Sequence, residues 1–486
     1  MGKSYLTKKS ALPAAAALAS ALLLCAFNDV NYKQAEASEI SGAYYNADGS
    51  VSPMKIRLGE PRVIVRGMPF EKNRWGAYQF PRPYNLGGRL LVAVHVSRDD
   101  IKSFGAPNRW FESLDNGKTW REIDAARDAE CGILLPNGDK IYFPPESGFS
   151  VSKYKQPSQS EYTPDYDASK RADEGTLPIP DGMKADWING VAIKAYNADR
   201  LPPSLAKKEW LAYRIPAGKT EAVKEHAKVD WKCLTRVVHS GAGFDNIMKP
   251  IFPRGNMKLA PDGSLWISAF SGEGHVNPDT GKYSPYYSAE IFRSDDFGKS
   301  FKQVAHMEYP ADGAEFPYDT GGFSDSDFEF MPDGSIVWFM RTQWFNYTGW
   351  EWSPMYVSRS TDGGKTWSKP EKFANVGVLP RLAKLECGTT LLCYARPGTY
   401  IQASENDSGT KWTKPLVAMT PDDRSALANV KPKTKTFISW VGSCNNPEII
   451  PIDKNKALLF YSDFYYPDSD GVKKKTILCR EVIVEK

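Results

Sequence analysis

Short apolar runs broken by polar turns recur along the chain, a pattern typical of β-hairpins. In six places a short strand is followed by a turn, usually with glycine, and then by a second apolar strand. Glycine suits such turns because it adopts positive φ, and Asn or Asp side chains bond the nearby backbone. Each segment therefore predicts two antiparallel strands. The six predicted hairpins are residues 80–94, 131–143, 255–267, 326–340, 380–394 and 446–461.

A second motif follows four of these hairpins after a further strand. Its copies are SLDNGKTW (113–120), SDDFGKSF (294–301), STDGGKTW (360–367) and the degenerate SENDSGTKW (404–412), which we call the Asp–Gly turns. A Ser or Asp side chain caps the turn, glycine supplies positive φ, and the closing aromatic residue buries a large apolar surface. We interpret these turns as scaffold and expect the chemistry to lie elsewhere.

Six units, each with a hairpin and about two further strands, predict an all-β fold. We expect a six-bladed β-propeller of four-stranded antiparallel blades over residues 38–486. A β-sandwich or two smaller β domains explain the recurring order of hairpin and turn less well. About residues 144–250, between the second and third hairpins, are predicted to form an insertion or an expanded blade.

The first 37 residues are predicted to be a signal peptide. Basic residues precede an apolar run at residues 11–27, and AEA at residues 35–37 offers a small-x-small cleavage site. We therefore expect a secreted or periplasmic protein. Lipid attachment at Cys25 is the less favoured alternative, because a lipoprotein site needs a small residue before the cysteine and here Leu24 precedes it.

Charge and composition narrow the classes of partner. The chain has 62 Lys and Arg against 58 Asp and Glu, a net charge of +4, which argues against a nucleic-acid partner. Beyond the N-terminus no apolar stretch is long enough to span a membrane. His and Cys spacing does not indicate zinc, so no metal or organic cofactor is implied, and we expect a monomer. Any anion must be bound by local arginines.

Hairpin geometry indicates which polar residues come together. Both strands of a hairpin reach the end of the blade opposite the hairpin turn, so residues roughly seven positions from each turn should meet at one mouth. Arginine recurs there, and clustered arginines need an anion or carboxylates nearby. The positions expected at this mouth are Arg82, His95, Arg254, Phe270, Asp327, Arg341, Arg381, Arg396, Asn446, Glu448 and Ser462.

The Asp–Gly turns resemble the Asp boxes of bacterial sialidases and their relatives, which are six-bladed propellers. At the level of blades the resemblance covers nearly all of residues 55–486. Sialidases hold a substrate carboxylate with three arginines, and the resemblance implies Arg82 (in QFPRP), Arg341 (in PDGSIVWFMR) and Arg396 (in CYARPG) for these roles.

The catalytic positions depart from the sialidase pattern, which has a Tyr nucleophile, a Glu that activates it, and an Asp acid/base. CNNPEI stands where the Tyr should be and offers Asn446 and Glu448. SDSD offers Asp325 and Asp327 in place of the Glu, and the acid/base Asp falls near Asp100. The sugar could therefore be a uronic acid, a sulfated sugar or a neutral one rather than sialic acid.

We expect an exported, sialidase-like glycoside hydrolase, related to exo-α-sialidases, that removes a terminal acidic sugar from glycans. Two alternatives stay open: a non-catalytic glycan-binding propeller, and a polysaccharide lyase acting on uronates with His95 as base beside Arg82. The expected catalytic residues are Asp327, Glu448, Asp100 and His95. The expected substrate-binding residues are Arg82, Arg341, Arg381, Arg396, Arg254 and Asn446.

Overall fold

The computed structural model is an all-β protein, with almost no helix in its described residues. It describes residues 40–45, 51–69, 76–97, 106–124, 131–154, 192–232, 234–241, 244–249, 251, 253, 256–271, 275–277, 280, 283–284, 286–310, 320–344, 354–374, 377–395, 398–419 and 446–485. Within these residues, no helix has the length and apolar character needed to cross a membrane.

The strands are short and follow one another closely. Strands β1 to β3 are Ile40–Tyr45, Val51–Leu58 and Arg62–Pro69. Strands β4 to β7 are Gln79–Asn85, Leu90–His95, Arg109–Ser113 and Arg121–Ile123. Strands β8 to β11 are Ile133–Leu134, Lys140–Tyr142, Phe149–Ser150 and Ala192–Asn197. A 3-10 helix (Ala198–Arg200) and helix α1 (Pro203–Ala206) come next.

The second half of the chain continues in the same way. Strands β12 to β15 are Glu209–Ile215, Val223–Asp230, Thr235–Gly241 and Phe244–Met248. Strands β16 to β21 are Met257–Leu259, Leu265–Phe270, His275–Val276, Tyr283–Ser284, Ser288–Ser294 and Ser300–Glu308. Strands β22 to β25 are Thr320–Phe330, Ile336–Trp344, Met355–Ser360 and Glu371–Ala374. Strands β26 to β29 are Val378–Lys384, Thr390–Ala395, Thr399–Ala403 and Leu416–Met419. Strands β30 to β32 are Glu448–Asp453, Lys456–Pro467 and Lys473–Glu485.

These strands form six antiparallel units in chain order, which we number 1 to 6. Units 1 to 5 are β4-β5-β6-β7, β8-β9-β12-β13, β16-β17-β20-β21, β22-β23-β24-β25 and β26-β27-β28-β29. Unit 6 is β30-β31-β32, and β32 also pairs with β2 and β3, so the beginning of the chain joins its end. A parallel pairing of β13 with β21 fuses units 2 and 3 into one eight-stranded sheet.

All six predicted hairpins are present as the first two strands of the units. The segment at residues 144–250 divides into two parts. Strands β12 and β13 pair onto β9 and complete unit 2, whereas β10, β15, β14 and β11 form a separate four-stranded sheet. Part of this segment therefore expands a unit, and the rest is an insertion.

The apolar core lies mainly between one unit and the next. The buried clusters that join consecutive units include Trp110 with Cys131, Ile141 with Leu265, Trp266 with Phe328, Phe339 with Leu392, Leu391 with Leu459, and Leu458 with Val92. Removing such side chains from water is the main force that holds the units together. These contacts between neighbouring units form a closed series, because unit 6 also packs on unit 1.

The Asp–Gly turns join the third and fourth strands of their units, and their side chains cap them as predicted. Asp362 accepts hydrogen bonds from the Thr366 backbone N–H at 2.9 Å and from its hydroxyl at 2.6 Å. Ser360 donates to Asp362 at 2.8 Å and accepts from the Gly364 N–H at 2.9 Å. The same bonds recur in the turns at residues 113–120 and 294–301. The bonds from Thr366 hold the pKa of Asp362 well below its usual range.

A glycine in each turn lies against the second strand of a neighbouring unit. A Cβ added to Gly364 would come within 2.6 Å of Trp266 in unit 3. The equivalent distances are 2.5 Å from Gly117 to Leu458, 2.7 Å from Gly298 to Ile141 and 2.8 Å from Gly409 to Val337. The turns therefore fasten units 3, 4 and 5 each to the unit before it, and unit 1 to unit 6.

This contact predicts a difference between adjacent glycines. Gly363 and Gly364 both have positive φ (74° and 85°), but only Gly364 faces a neighbour within 4 Å. Gly363→Ala should cost only the backbone strain, about 1–2 kcal/mol. Gly364→Ala should lose about 1–3 kcal/mol more through overpacking against Trp266. Urea unfolding of both variants checks this, and equal losses would contradict the packing role.

Candidate functional site

Charged side chains gather at the end of the units opposite the turns. Arg293, beside the Asp–Gly turn at residues 294–301, pairs with Asp262 in the β16–β17 hairpin turn at 3.1 Å, so the hairpin turns and the Asp–Gly turns share one end. From the other end and reaching toward these turns, the first strands of units 3 to 6 and unit 1, together with β23, carry a set of polar residues that we call the polar cluster. Its members are Arg82, Asn256, Lys258, Asp325, Asp327, Glu329, Arg341, Arg381 and Glu448.

Asp327 is at the centre of this cluster and is fully buried. One carboxylate oxygen accepts the backbone N–H of Leu382 in β26 at 2.8 Å and the amide of Asn256, just before β16, at 3.0 Å. The other accepts the N–H of Phe328 at 2.9 Å and lies 3.5 Å from the ammonium of Lys258. Asp327 therefore links units 3, 4 and 5, and both of its oxygens are engaged.

Lys258 carries the positive charge deeper in the cluster. Its ammonium group donates to Glu329 at 2.8 Å and to the Leu382 carbonyl at 3.1 Å. Burial lowers the pKa of Lys258, but Asp327 and Glu329 outweigh that effect and raise it above the usual value. The ammonium is therefore charged and compensates these two carboxylates.

Arg381 and Glu448 form a buried ion pair between units 5 and 6. The Arg381 Nε–H lies 2.9 Å and 3.0 Å from the two oxygens of Glu448. Burial raises the pKa of the Glu448 carboxyl group and Asp327 adds to the rise, while Arg381 and Arg82 offset part of it. A carboxyl group with a raised pKa keeps its proton at higher pH and can act as an acid.

Arg341, near the end of β23, pairs with Asp325 of β22 at 2.6 Å. Its Nε is buried and has no hydrogen-bond partner among the described residues. A guanidinium group has five N–H donors in a fork that fits a carboxylate. The Nε–H of Arg341 is therefore a donor whose acceptor is missing from the described part of the protein, and a ligand could supply that acceptor.

The other predicted positions fall into two groups. Arg82, in β4, is half-buried and acts electrostatically on Glu448, and half-buried Asn446 precedes Glu448 by two residues. His95 is buried at the end of β5, with its ring 5.9 Å from that of Phe80. The remaining predicted residues, Arg254, Arg396 and Asp100, lie outside the described residues and stay predictions.

Lys258, Glu329 and Asn256 are cluster members that the sequence did not suggest, and Asp325 was considered beside Asp327 but left out of the expected catalytic residues. Alternate residues of a strand share a face, so SDSDFE in β22 places three carboxylates on one side. A buried row of carboxylates needs cations to compensate it. In NMK, residues 256–258 of the neighbouring first strand, the alternate residues Asn256 and Lys258 share a face, and Lys258 supplies the cation. That pattern could have identified Lys258.

The chain was compared with known families, curated proteins and solved structures. No family model matches it, and no curated protein sequence matches it. It is similar to a protein of unknown function from Dyadobacter fermentans, with 17% identity and a TM-score of 0.50 over 88% of this chain and 99% of that one. This likeness shows a shared fold and nothing about activity.

Two sialidases are also similar to the chain, more distantly. Trypanosoma rangeli sialidase has 11% identity and a TM-score of 0.36 over 92% of this chain and 58% of that one. The NanB sialidase from Streptococcus pneumoniae has 12% identity and a TM-score of 0.39 over 87% and 70%. Likenesses this low do not bear on function.

The pKa of Glu448 predicts a pH dependence with a definite sign. The pKa of Glu448 in the folded state lies above the ordinary value of 4.5. The folded state therefore loses stability as pH rises from the ordinary pKa through the folded-state pKa. Glu448→Gln imitates the protonated form, so its stability relative to wild type should rise from about pH 4 to about pH 8. Glu448→Ala, which removes the carboxylate that pairs with the buried Arg381, should lose about 3–5 kcal/mol.

A surface pair supplies the control for this experiment. Glu122 is paired with Arg109, whose hydrogen bonds lower the pKa of Glu122. The Glu122 carboxylate stabilises the folded state above its ordinary pKa, and this stabilisation is lost as pH falls. The free energy of unfolding of Glu122→Gln should therefore decrease relative to that of wild type as pH rises. Urea unfolding across the pH series measures both trends. The same trend in both variants would contradict the account of Glu448.

Proposed function

We propose that the six units are the blades of a six-bladed β-propeller, and that the polar cluster at its mouth binds and hydrolyses a glycan ending in an acidic sugar. Two features support the propeller. Each unit packs on the next and unit 6 packs on unit 1. Strands β2 and β3 pair with β32, which is how a propeller closes its ring with both ends of the chain.

The observation that carries the proposal is the convergence of first strands on one polar cluster. Asp327 of unit 4 bonds to units 3 and 5, Arg381 of unit 5 bonds to Glu448 of unit 6, and Arg82 of unit 1 acts on Glu448. Side chains from five units meet in this way at the mouth of a propeller channel, where ligands commonly bind.

The arginines support an acidic ligand. Arg341 keeps a buried donor that has no described partner, and a sugar carboxylate would accept from it. Arg82 adds positive charge that acts on Glu448, and Arg254 and Arg396 are predicted to add more. The sugar is a sialic acid or a uronic acid.

Hydrolysis needs a proton donor and a second carboxylate. Glu448, with its raised pKa, donates a proton to the glycosidic oxygen as the bond to the anomeric carbon breaks. Asp325, whose side chain is 16% exposed, is the second carboxylate and accepts a proton from the water that attacks that carbon. Asp327 has both oxygens engaged and holds the strands in place, while Asp100 and His95 stay predictions.

A glycan-binding protein without catalysis is the second candidate. The ion pairs favour it, since Glu448 and Asp325 are each bound to an arginine and must leave it to reach a substrate. Export through the N-terminal segment is part of the proposal in either case, and that segment lies outside the described residues.

Turnover of aryl glycosides by the purified protein tests the proposal. We expect cleavage of a sialoside or a glucuronide and no cleavage of neutral glycosides. Glu448→Gln should slow cleavage by about 10²–10⁴-fold, the usual contribution of a general acid. Arg341→Ala should raise KM for the acidic glycoside. Arg293→Ala, which removes an ion-paired arginine at the turn end, should leave turnover unchanged.

Each other outcome has a definite meaning. No cleavage, with glycan binding that depends on Arg341, would replace the hydrolase by the binding protein. Cleavage that yields an unsaturated, ultraviolet-absorbing product would identify a lyase. Neither cleavage nor binding of any acidic sugar would overturn both candidates.

A further inference from the structure

Unit 3 contains a second polar cluster, formed by His275, His306, Glu308 and Glu290. His275 comes from β18, in the connection between β17 and β20, while Glu290 lies in β20 and the other two in β21. Glu290 and His306 are direct cross-strand neighbours. His275 is 1% exposed and Glu290 is 1% exposed, so the cluster is set into the sheet and is not a solvated charge patch.

Three donor atoms of this cluster converge on one point. One ring nitrogen of His275, one ring nitrogen of His306 and one oxygen of Glu308 all lie within 4.8 Å of one another. Glu308 Oε1 is 2.6 Å from the His275 Nε2 and 3.6 Å from the His306 Nε2. The His306 Nε2 is buried and has no hydrogen-bond partner within the described part of the chain.

The opposite ring nitrogens are held by acceptors. The His275 Nδ1 lies 2.8 Å from the Tyr286 carbonyl oxygen, and the His306 Nδ1 lies 2.9 Å from Glu290. A carbonyl or carboxylate at Nδ1 holds a proton there, so Nε2 is the nitrogen that can offer a lone pair to a metal, once the ion displaces the contact between the His275 Nε2 and Glu308. Histidine ligands of metals are held in this way by an acceptor at the other nitrogen.

We propose that His275, His306 and Glu308 bind a divalent transition-metal ion, with zinc as the favoured metal. Two imidazoles and one carboxylate are a common zinc donor set that leaves a fourth position for water. Zinc at about 2.0–2.1 Å from each donor requires the donors to be about 3.3 Å apart. The 3.6 Å pair already fits, and the carboxylate of Glu308, 38% exposed, can swing away from His275.

Such an ion would tie the β18–β19 hairpin to the edge of unit 3. Strand β18 pairs only with β19 among the described strands, so His275 is its link to β21. The β17–β20 connection leaves the sheet at the same end as the polar cluster of the candidate site. The ion would therefore fix a loop at the rim of that site, without a part in the proposed hydrolysis.

An ion-pair network without metal is the competing explanation. Burial lowers the pKa of His306, but the carboxylates of Glu290 and Glu308 outweigh it and raise the pKa to about 10. A protonated His306 would then balance these carboxylates by itself. The two explanations differ in whether the wild-type protein takes up metal.

The test measures zinc bound by the full-length protein after removal of metal with a chelator. We expect one zinc ion per chain by elemental analysis, a higher Tm with zinc, and cobalt absorption bands of a four-coordinate site when cobalt replaces zinc. Glu308→Gln and His306→Ala should abolish the cobalt spectrum and weaken zinc binding at least about 10-fold.

A second histidine–glutamate pair gives the matched control. His226 lies 3.0 Å from Glu209 on the exposed surface of unit 2, and no third ligand joins them among the described residues. His226→Ala should keep full zinc binding. No zinc uptake by wild-type protein, or uptake that survives both Glu308→Gln and His306→Ala, overturns the site. Zinc uptake is measured on wild-type protein first, so a variant that fails to fold does not decide the result.

Discussion

The buried carboxylate of Asp327 is the constraint on which the arrangement of the site depends. A charge with no exposure to water is tolerated only when hydrogen bonds and a cation compensate it. Asp327 has the Leu382 N–H, the Asn256 amide and the nearby ammonium of Lys258. Because these groups belong to units 3 and 5 and Asp327 to unit 4, satisfying one charge fixes the relative positions of three first strands.

The rest of the polar cluster follows from that fixed frame. With β26 held beside β22, Arg381 is in place to pair with Glu448 across the next boundary. Arg341 is paired with Asp325 on the adjacent strand and keeps a buried donor. A site built on strands in this way is pre-organised, so binding an acidic sugar would cost little ordering of its arginines.

Local features of the structure could be predicted from the sequence. The hairpins and the Asp–Gly turns are encoded within short segments, where turn residues and alternating apolar positions act directly on the backbone. The meeting of Arg381 and Glu448 could be anticipated because both stand seven positions before a hairpin turn. Their ion pair could not be predicted, because the two residues are 67 positions apart in sequence and meet only through the packing of units 5 and 6.

Other features depend on the order in which distant strands pair. Strand β12 completes unit 2 by pairing with β9 across a long intervening segment, which no local pattern indicates. The structural role of Asp327 could not be predicted either, because the sequence does not show whether backbone N–H groups will donate hydrogen bonds to a given carboxylate. His275 and Glu308, 33 residues apart, have no spacing typical of a metal site and meet only because β18 folds back onto β21.

The most direct test of the central claim is a crystal structure of the protein soaked with N-acetylneuraminic acid or glucuronic acid. The account predicts the sugar at the polar cluster, with its carboxylate accepting a hydrogen bond from the Arg341 Nε and its ring beside Glu448. A sugar bound elsewhere, or bound with the Arg341 Nε still unpaired, would contradict it.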